Sequence, residues 1–231
     1  MNVDFNKLKE TQKKIAEKVI VKDAIKFDDV KTVAGFDLAY QDKKVICVGV
    51  VLDFKTMKVL EKKHTISEEK FPYIANFLMF REGPPIIEMY HDLEKEPDVL
   101  LIDGGGILHP LKSGVASYIG VSLDKPTIGV TKKLLYGEVY EGKIYMEKDT
   151  IEGKVKELRG ERVETKLGSR PLFVSPGHKI TIPTAVKIVK ECIRGNHKLP
   201  EPLRLAHRHA DHIREEMLLK GKIKEKKEDD S

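Results

Sequence analysis

Residues 32–66 read TVAGFDLAYQDKKVICVGVVLDFKTMKVLEKKHTI. Three β-branched or aromatic runs, Thr32 to Tyr40, Val45 to Phe54 and Val59 to Ile66, are separated by the turn-forming stretches QDKK and DFKTMK. Three consecutive strands on such short connections predict an antiparallel meander. Upstream, Phe5 to Val21 carries apolar residues at helical spacing among lysines and glutamates, which predicts an amphipathic helix.

Downstream the pattern changes. Pro84 and Pro85 mark the start of a helix that continues from Ile86 to Leu93. Asp98 to Asp103 (DVLLID) is a short continuous apolar run of the kind buried in a parallel sheet, and it stops at Gly104, Gly105 and Gly106. A helix over Lys112 to Leu123 then leads to a buried strand at Thr127 to Val130. Beyond Lys132 the reading is a hairpin at Glu141 and Gly142, a charged excursion to Leu167, a strand at Pro171 to Val174, and helices over Thr184 to Arg194 and Leu203 to Leu219. The fold class is therefore α/β: a mixed sheet with a three-strand antiparallel meander followed by alternating helices and strands, flanked by helices. One domain is expected over 1–220, with a charged flexible tail at 221–231.

The 231 residues are 40% hydrophobic and 34% charged, a globular balance. A formal net charge of +5 permits a polyanionic partner without demanding one. No apolar stretch approaches the ~18 residues of a membrane span, and Met1 to Ile25 is charged throughout, so neither membrane insertion nor secretion is expected and the chain is assigned to the cytoplasm. The two cysteines, Cys47 and Cys192, are too far apart in sequence for a metal-type pair.

Two acids stand where burial ordinarily forbids them. Asp37 is mid-strand in an apolar segment, and Asp103 ends the buried strand. The middle of the first strand and the end of the fourth can be neighbours in the sheet, and two carboxylates at one point call for a cation. Oxygen ligands favour Mg²⁺, with Mn²⁺ as a substitute, and Glu82 offers a third carboxylate before a Gly83-Pro84-Pro85 corner.

Six segments in order, GFDLAY (35–40), FPYIANFLMFREGP (71–84), LLIDGGGILHP (100–110), IGVTKKLLYG (128–137), FVSPGHKI (173–180) and LPEPLRLAHRHAD (199–211), resemble the motifs of the endonuclease V family. The resemblance implies an RNase H-like core. It also implies DNA-repair chemistry: recognition of deoxyinosine in DNA and hydrolysis of the second phosphodiester bond 3′ to it, leaving a 3′-hydroxyl and a 5′-phosphate. Some members prefer inosine in RNA, so an inosine-specific endoribonuclease is an alternative, as is a non-catalytic reader of deaminated nucleic acid. A monomer is expected.

Carried over by position, Asp37, Glu82 and Asp103 match the family's metal-binding acids, Lys132 an active-site lysine, and His207 a position that is Asp or His in different members. With His207 in place, Asp211 one turn later is a rival for the fourth position, only one of the two being expected to point inward. Pro72, Tyr73 and Ile74, with Ala75 where the family usually has Pro, resemble a wedge whose aromatic ring fills the gap left by an everted base. Gly83 adjoins it. Gly104, Gly105, Gly106, Leu108 and His109 resemble the base pocket; a tight strand-to-helix turn would also use three glycines. Ser175 and His178 are read as structural, Lys133 as a surface lysine, and His209 and His212 as facing solvent.

Overall fold

The computed structural model describes residues 4–151, 153–166 and 168–229, with side chains as far as residue 220. The elements run α1 (Phe5–Lys18), β1 (Thr32–Gln41), β2 (Lys44–Asp53), β3 (Val59–Glu68), α2 (Leu78–Asp92), β4 (Val99–Asp103), α3 (Val115–Leu123), β5 (Thr127–Thr131), β6 (Glu138–Tyr140), β7 (Lys143–Thr150), β8 (Gly153–Val163), β9 (Leu172–His178), α4 (Ile182–Glu191) and α5 (Glu201–Asp229). All the strands join one sheet in the order β3-β2-β1-β4-β5-β9-β8-β7-β6. The meander is antiparallel, and β4 lies parallel to both β1 and β5.

Strand alternation divides the core between the two faces of the sheet. Val33, Val50, Val99, Leu101 and Ile128 face α4 and α5, where Ala185, Val189, Leu203 and Ala206 cover them. Ala34, Phe36, Val51, Leu100 and Ile102 face α2 and α3, against Ile86, Met89, Val115 and Ile119. Covered on both sides, β1, β2 and β4 read as unbroken apolar runs, whereas edge strand β3 alternates between half-buried and exposed positions. The start of α5 presses so closely on β1 that a Cβ on Gly35 would fall 2.3 Å from the Pro202 carbonyl carbon. That contact seats α5 over the centre of the sheet.

Three expectations are corrected. The helix expected to begin at Pro84 begins at Leu78, so both prolines lie inside α2 and Glu82 sits on the helix, not before a corner. Neither proline can donate to the carbonyls one turn back, those of Phe80 and Arg81; burial of Met79, Pro85, Ile86 and Met89 holds the helix despite those missing bonds. The charged excursion is instead the long β7–β8 hairpin, paired from Lys143↔Glu161 to Thr150↔Gly153. Both its faces are largely exposed, so Lys and Glu occupy successive positions and erase the period-two signal. Leu167, where the excursion was expected to end, lies outside the described residues. Finally, the last helix, expected to end at Leu219, has a backbone that continues to Asp229; residues 230–231 lie outside the described residues.

Candidate active site

Parallel pairing of β1 with β4 aligns Phe36 with Ile102, and one step further along both strands stand Asp37 and Asp103. Strand alternation turns both toward the α5 face, since Phe36 and Ile102 point the other way. Asp37 is only 8% exposed. Burial, reinforced by the Asp103 charge, raises its carboxyl above the usual carboxylate range, while His207 pulls in the opposite direction. His207, from α5, donates from Nδ1 to Asp37 Oδ2 at 2.7 Å. Its other ring nitrogen lies 3.4 Å from Asp211 Oδ2, and Asp211 in turn pairs with Arg214 at 2.8 Å. His207 thus lies against Asp37, with Asp211 on the outer side of its ring.

Lys132, at the end of β5, bonds Asp103 Oδ2 at 2.7 Å. Burial alone would lower its pKa, but Asp103, Asp37 and Asp211 together raise it, so the ammonium stays charged. Glu82 approaches from α2, on the other face. Its carboxyl is pushed up to about 7, first by burial and then by the charges of Asp103 and Asp37, with Arg81 opposing.

This donor set fits a hard divalent cation. The Asp103 charge raises the cost of ionising both Asp37 and Glu82, and the half-buried Glu82 has too little positive charge beside it to ionise readily. Among the described residues, no group of three or more His, Cys, Asp or Glu side chains is placed to hold a metal ion, and Lys132 holds one oxygen of Asp103.

Beside the acids lies a recess with a cavity volume of about 70 Å³, lined by Gly105, Leu108, His109, Leu135, Tyr136 and Asn76 among others. It adjoins the acids along the chain, because Gly105 follows closely on Asp103 and the lining residue Lys133 follows Lys132. Of the glycines expected there, Gly105 lines the recess. Gly104 bonds its N–H to the Val130 carbonyl, and Gly106 donates to Ser175 Oγ while its Cα approaches the Pro176 backbone too closely for any side chain. Gly83 is buried against the Tyr118 ring, between α2 and α3. Burial lowers the His109 pKa; its Nδ1 accepts from Leu111 N–H, leaving Nε2–H to donate to the Asn76 carbonyl at 3.2 Å.

The wedge segment is exposed. Pro72, Tyr73 and Ala75 face solvent, Ile74 is half-buried, and Tyr73 is 66% exposed with the Arg81 guanidinium 5.6 Å from its ring centre. Ser175 and His178 lie in the interior; His178 accepts at Nδ1 from Ile20 N–H. His212 is exposed as expected, but His209 is half-buried edge-on to His64 of β3, 5.5 Å between ring centres. The sequence reading passed over Asn76, Tyr136 and Lys133 as lining residues. They are loop residues, and only their position inside quoted motifs distinguished them.

The model of the endonuclease V family matches residues 13–208. The endonuclease V of Dictyoglomus thermophilum is 43% identical over 202 residues, 85% of each chain. That of Archaeoglobus fulgidus is 32% identical over 97% of this chain and all of its own. The Bacillus subtilis endonuclease V structure superposes with a TM-score of 0.82 at 32% identity, covering 95% of both chains. A Ciona intestinalis endonuclease V, solved in complex with a 24-mer DNA containing an inosine followed by a ribo-adenosine, superposes at 0.80 with 28% identity, over 92% of this chain and 98% of its own. With an RNase H-like sheet bringing Asp37, Asp103, Lys132 and His207 to one point, and with relatives this similar along nearly its whole length, the chain belongs to the endonuclease V family of nucleases.

Proposed function

We propose that this protein is a Mg²⁺-dependent endonuclease that takes deoxyinosine from DNA into the recess and hydrolyses the second phosphodiester bond on its 3′ side, leaving a 3′-hydroxyl and a 5′-phosphate. The observation that carries the reading is the juxtaposition of Asp37 and Asp103 on adjacent parallel strands, with Lys132 and His207 bonded to them, next to a largely apolar recess. A single copy of the chain supplies every residue of this site, which supports action as a monomer.

Asp37, Asp103 and Glu82 would hold the cation, which when bound supplies an activated water and neutralises charge on the scissile phosphate. The Lys132 ammonium, kept charged by its acidic neighbours, is positioned to offset negative charge developing on the phosphate. His207, held by Asp37 on one side and Asp211 on the other, orients the reacting groups and can carry a proton at Nε2. The exposed Tyr73 ring is placed to fill the gap left by the everted base, offsetting part of the few kcal/mol that unstacking costs.

Cleavage of inosine-containing RNA is the second reading, favoured by the ribo-adenosine beside the inosine in the Ciona intestinalis complex. One assay separates the two: matched DNA and RNA oligonucleotides with and without inosine, incubated with Mg²⁺ or chelator and mapped for the cut position. Cutting of unmodified strands at the same rate as inosine strands would sink both readings.

A further inference from the structure

The recess has a buried floor, with Met79, Leu108, Ser113 and Val115, and an exposed rim that includes Asn76, Lys133 and Leu135. Across that rim the Tyr136 hydroxyl donates to Asn76 Oδ1, joining the segment that follows the wedge to the loop between β5 and β6. The two ends of this bridge are held differently. Asn76 is a fixed post: its backbone adopts φ +69°, and its carbonyl accepts from Gln12 Nε2 of α1 at 2.5 Å and from His109 Nε2 at 3.2 Å. Tyr136 is an arm: its ring stands edge-on to His109, 6.4 Å between centres, and the next residue is Gly137 at φ +90°, a left-handed conformation that leaves the loop a pivot at its base.

The geometry points to a further pair of substrate-positioning residues: Asn76 and Tyr136 form a strap across the recess that parts to admit an everted 6-oxopurine and closes again over it. The inference rests on the proposed function and deepens it. Because the strap joins the wedge segment to the recess wall, the loop that leans into the nucleic acid and the cavity that receives the base are mechanically one unit. A closed strap slows escape of the base, so its contribution is to residence time and not to the hydrolytic step.

The test uses the full chain in chelator, where no cutting occurs, and measures dissociation of a fluorescein-labelled single-stranded DNA containing one deoxyinosine, with the adenine-matched strand as control. Asn76→Gly keeps the backbone conformation and the carbonyl bonds to Gln12 and His109 while removing the amide; Tyr136→Phe removes only the hydroxyl. Each variant should release the inosine strand about 5-fold to 13-fold faster, as loss of a hydrogen bond worth ~1–1.5 kcal/mol gives. The double variant should be no faster than the singles, and release of the adenine strand should not change. Additive effects, equal effects on both strands, or no effect would overturn the strap. If instead the wild type releases both strands equally, the inosine reading itself fails, and the strap with it.

Discussion

His207 Nδ1 and Asp37 Oδ2 meet at 2.7 Å across 170 positions of sequence. The Nε2 of the same imidazole lies 3.4 Å from Asp211, which pairs in turn with Arg214. An acid buried in mid-strand and a histidine on the last helix thus depend on each other for orientation, and the consequences are measurable.

His207→Ala should lower single-turnover nicking of an inosine strand by 100-fold or more, because it removes the group bonded to Asp37; the magnitude is about that of losing a positioned acid–base group. Asp211→Asn keeps a hydrogen-bonding oxygen near Nε2 and should cost about 10-fold or less. His207→Asp should retain part of the activity with a changed metal requirement. Rapid-quench rates for the three variants decide the matter; an inert Asp211→Asn beside an active His207→Ala would reverse the assignment.

Asp37→Asn and Asp103→Asn should each abolish nicking in saturating Mg²⁺ while leaving a folded protein. Asp37 is buried and sits beside a second acid, so neutralising it relieves a cost, and its melting temperature in chelator should equal or exceed that of the wild type. Calorimetry and nicking assays run in parallel test this, and near-normal cleavage by either variant removes the carboxylates from the cation site.

Glu82 makes stability depend on pH. Its folded carboxyl titrates near 7 against an ordinary value of 4.5, so the folded chain keeps a proton that the unfolded chain has lost over that interval. Stability in chelator should therefore fall as pH rises from about 4.5 through about 7, with the full penalty, on the order of 3 kcal/mol, present above that range. Glu82→Gln should melt close to wild type at pH 4.5 and several degrees higher at pH 8, and added Mg²⁺ should narrow the gap. A gap that is independent of pH would show that the carboxyl is not strained.

Tyr73→Ala should weaken capture of inosine more in a duplex than in a single strand, since a ring that is 66% exposed contributes little to the fold and most where a base must leave a stack. Equal losses on the two substrates would mark a plain binding contact.

Much of this was legible in the sequence, for identifiable reasons. Strands buried on both faces announce themselves as apolar runs, so β1, β2, β4 and β5 could be read, and Asp37 stood out as a charge inside one of them. Glu82 was found by its motif but misplaced, because proline usually opens a helix and here lies within one. The β7–β8 hairpin was hidden by solvent on both its faces. Asn76 and Tyr136 were invisible as partners: a hydrogen bond between two loops leaves no periodicity in either.

Helix α5 also sets an order of events when the chain is made. Synthesis delivers β1 and β2 well before the segment from Glu201, yet Val33, Val50, Leu101 and Ile128 rely on Leu203, Ala206 and Ala210 for part of their cover. A nascent chain lacking α5 therefore carries a bare apolar face and an Asp37 without its histidine. Until α5 is made, that face stays sticky and Asp37 lacks the bond that His207 gives it.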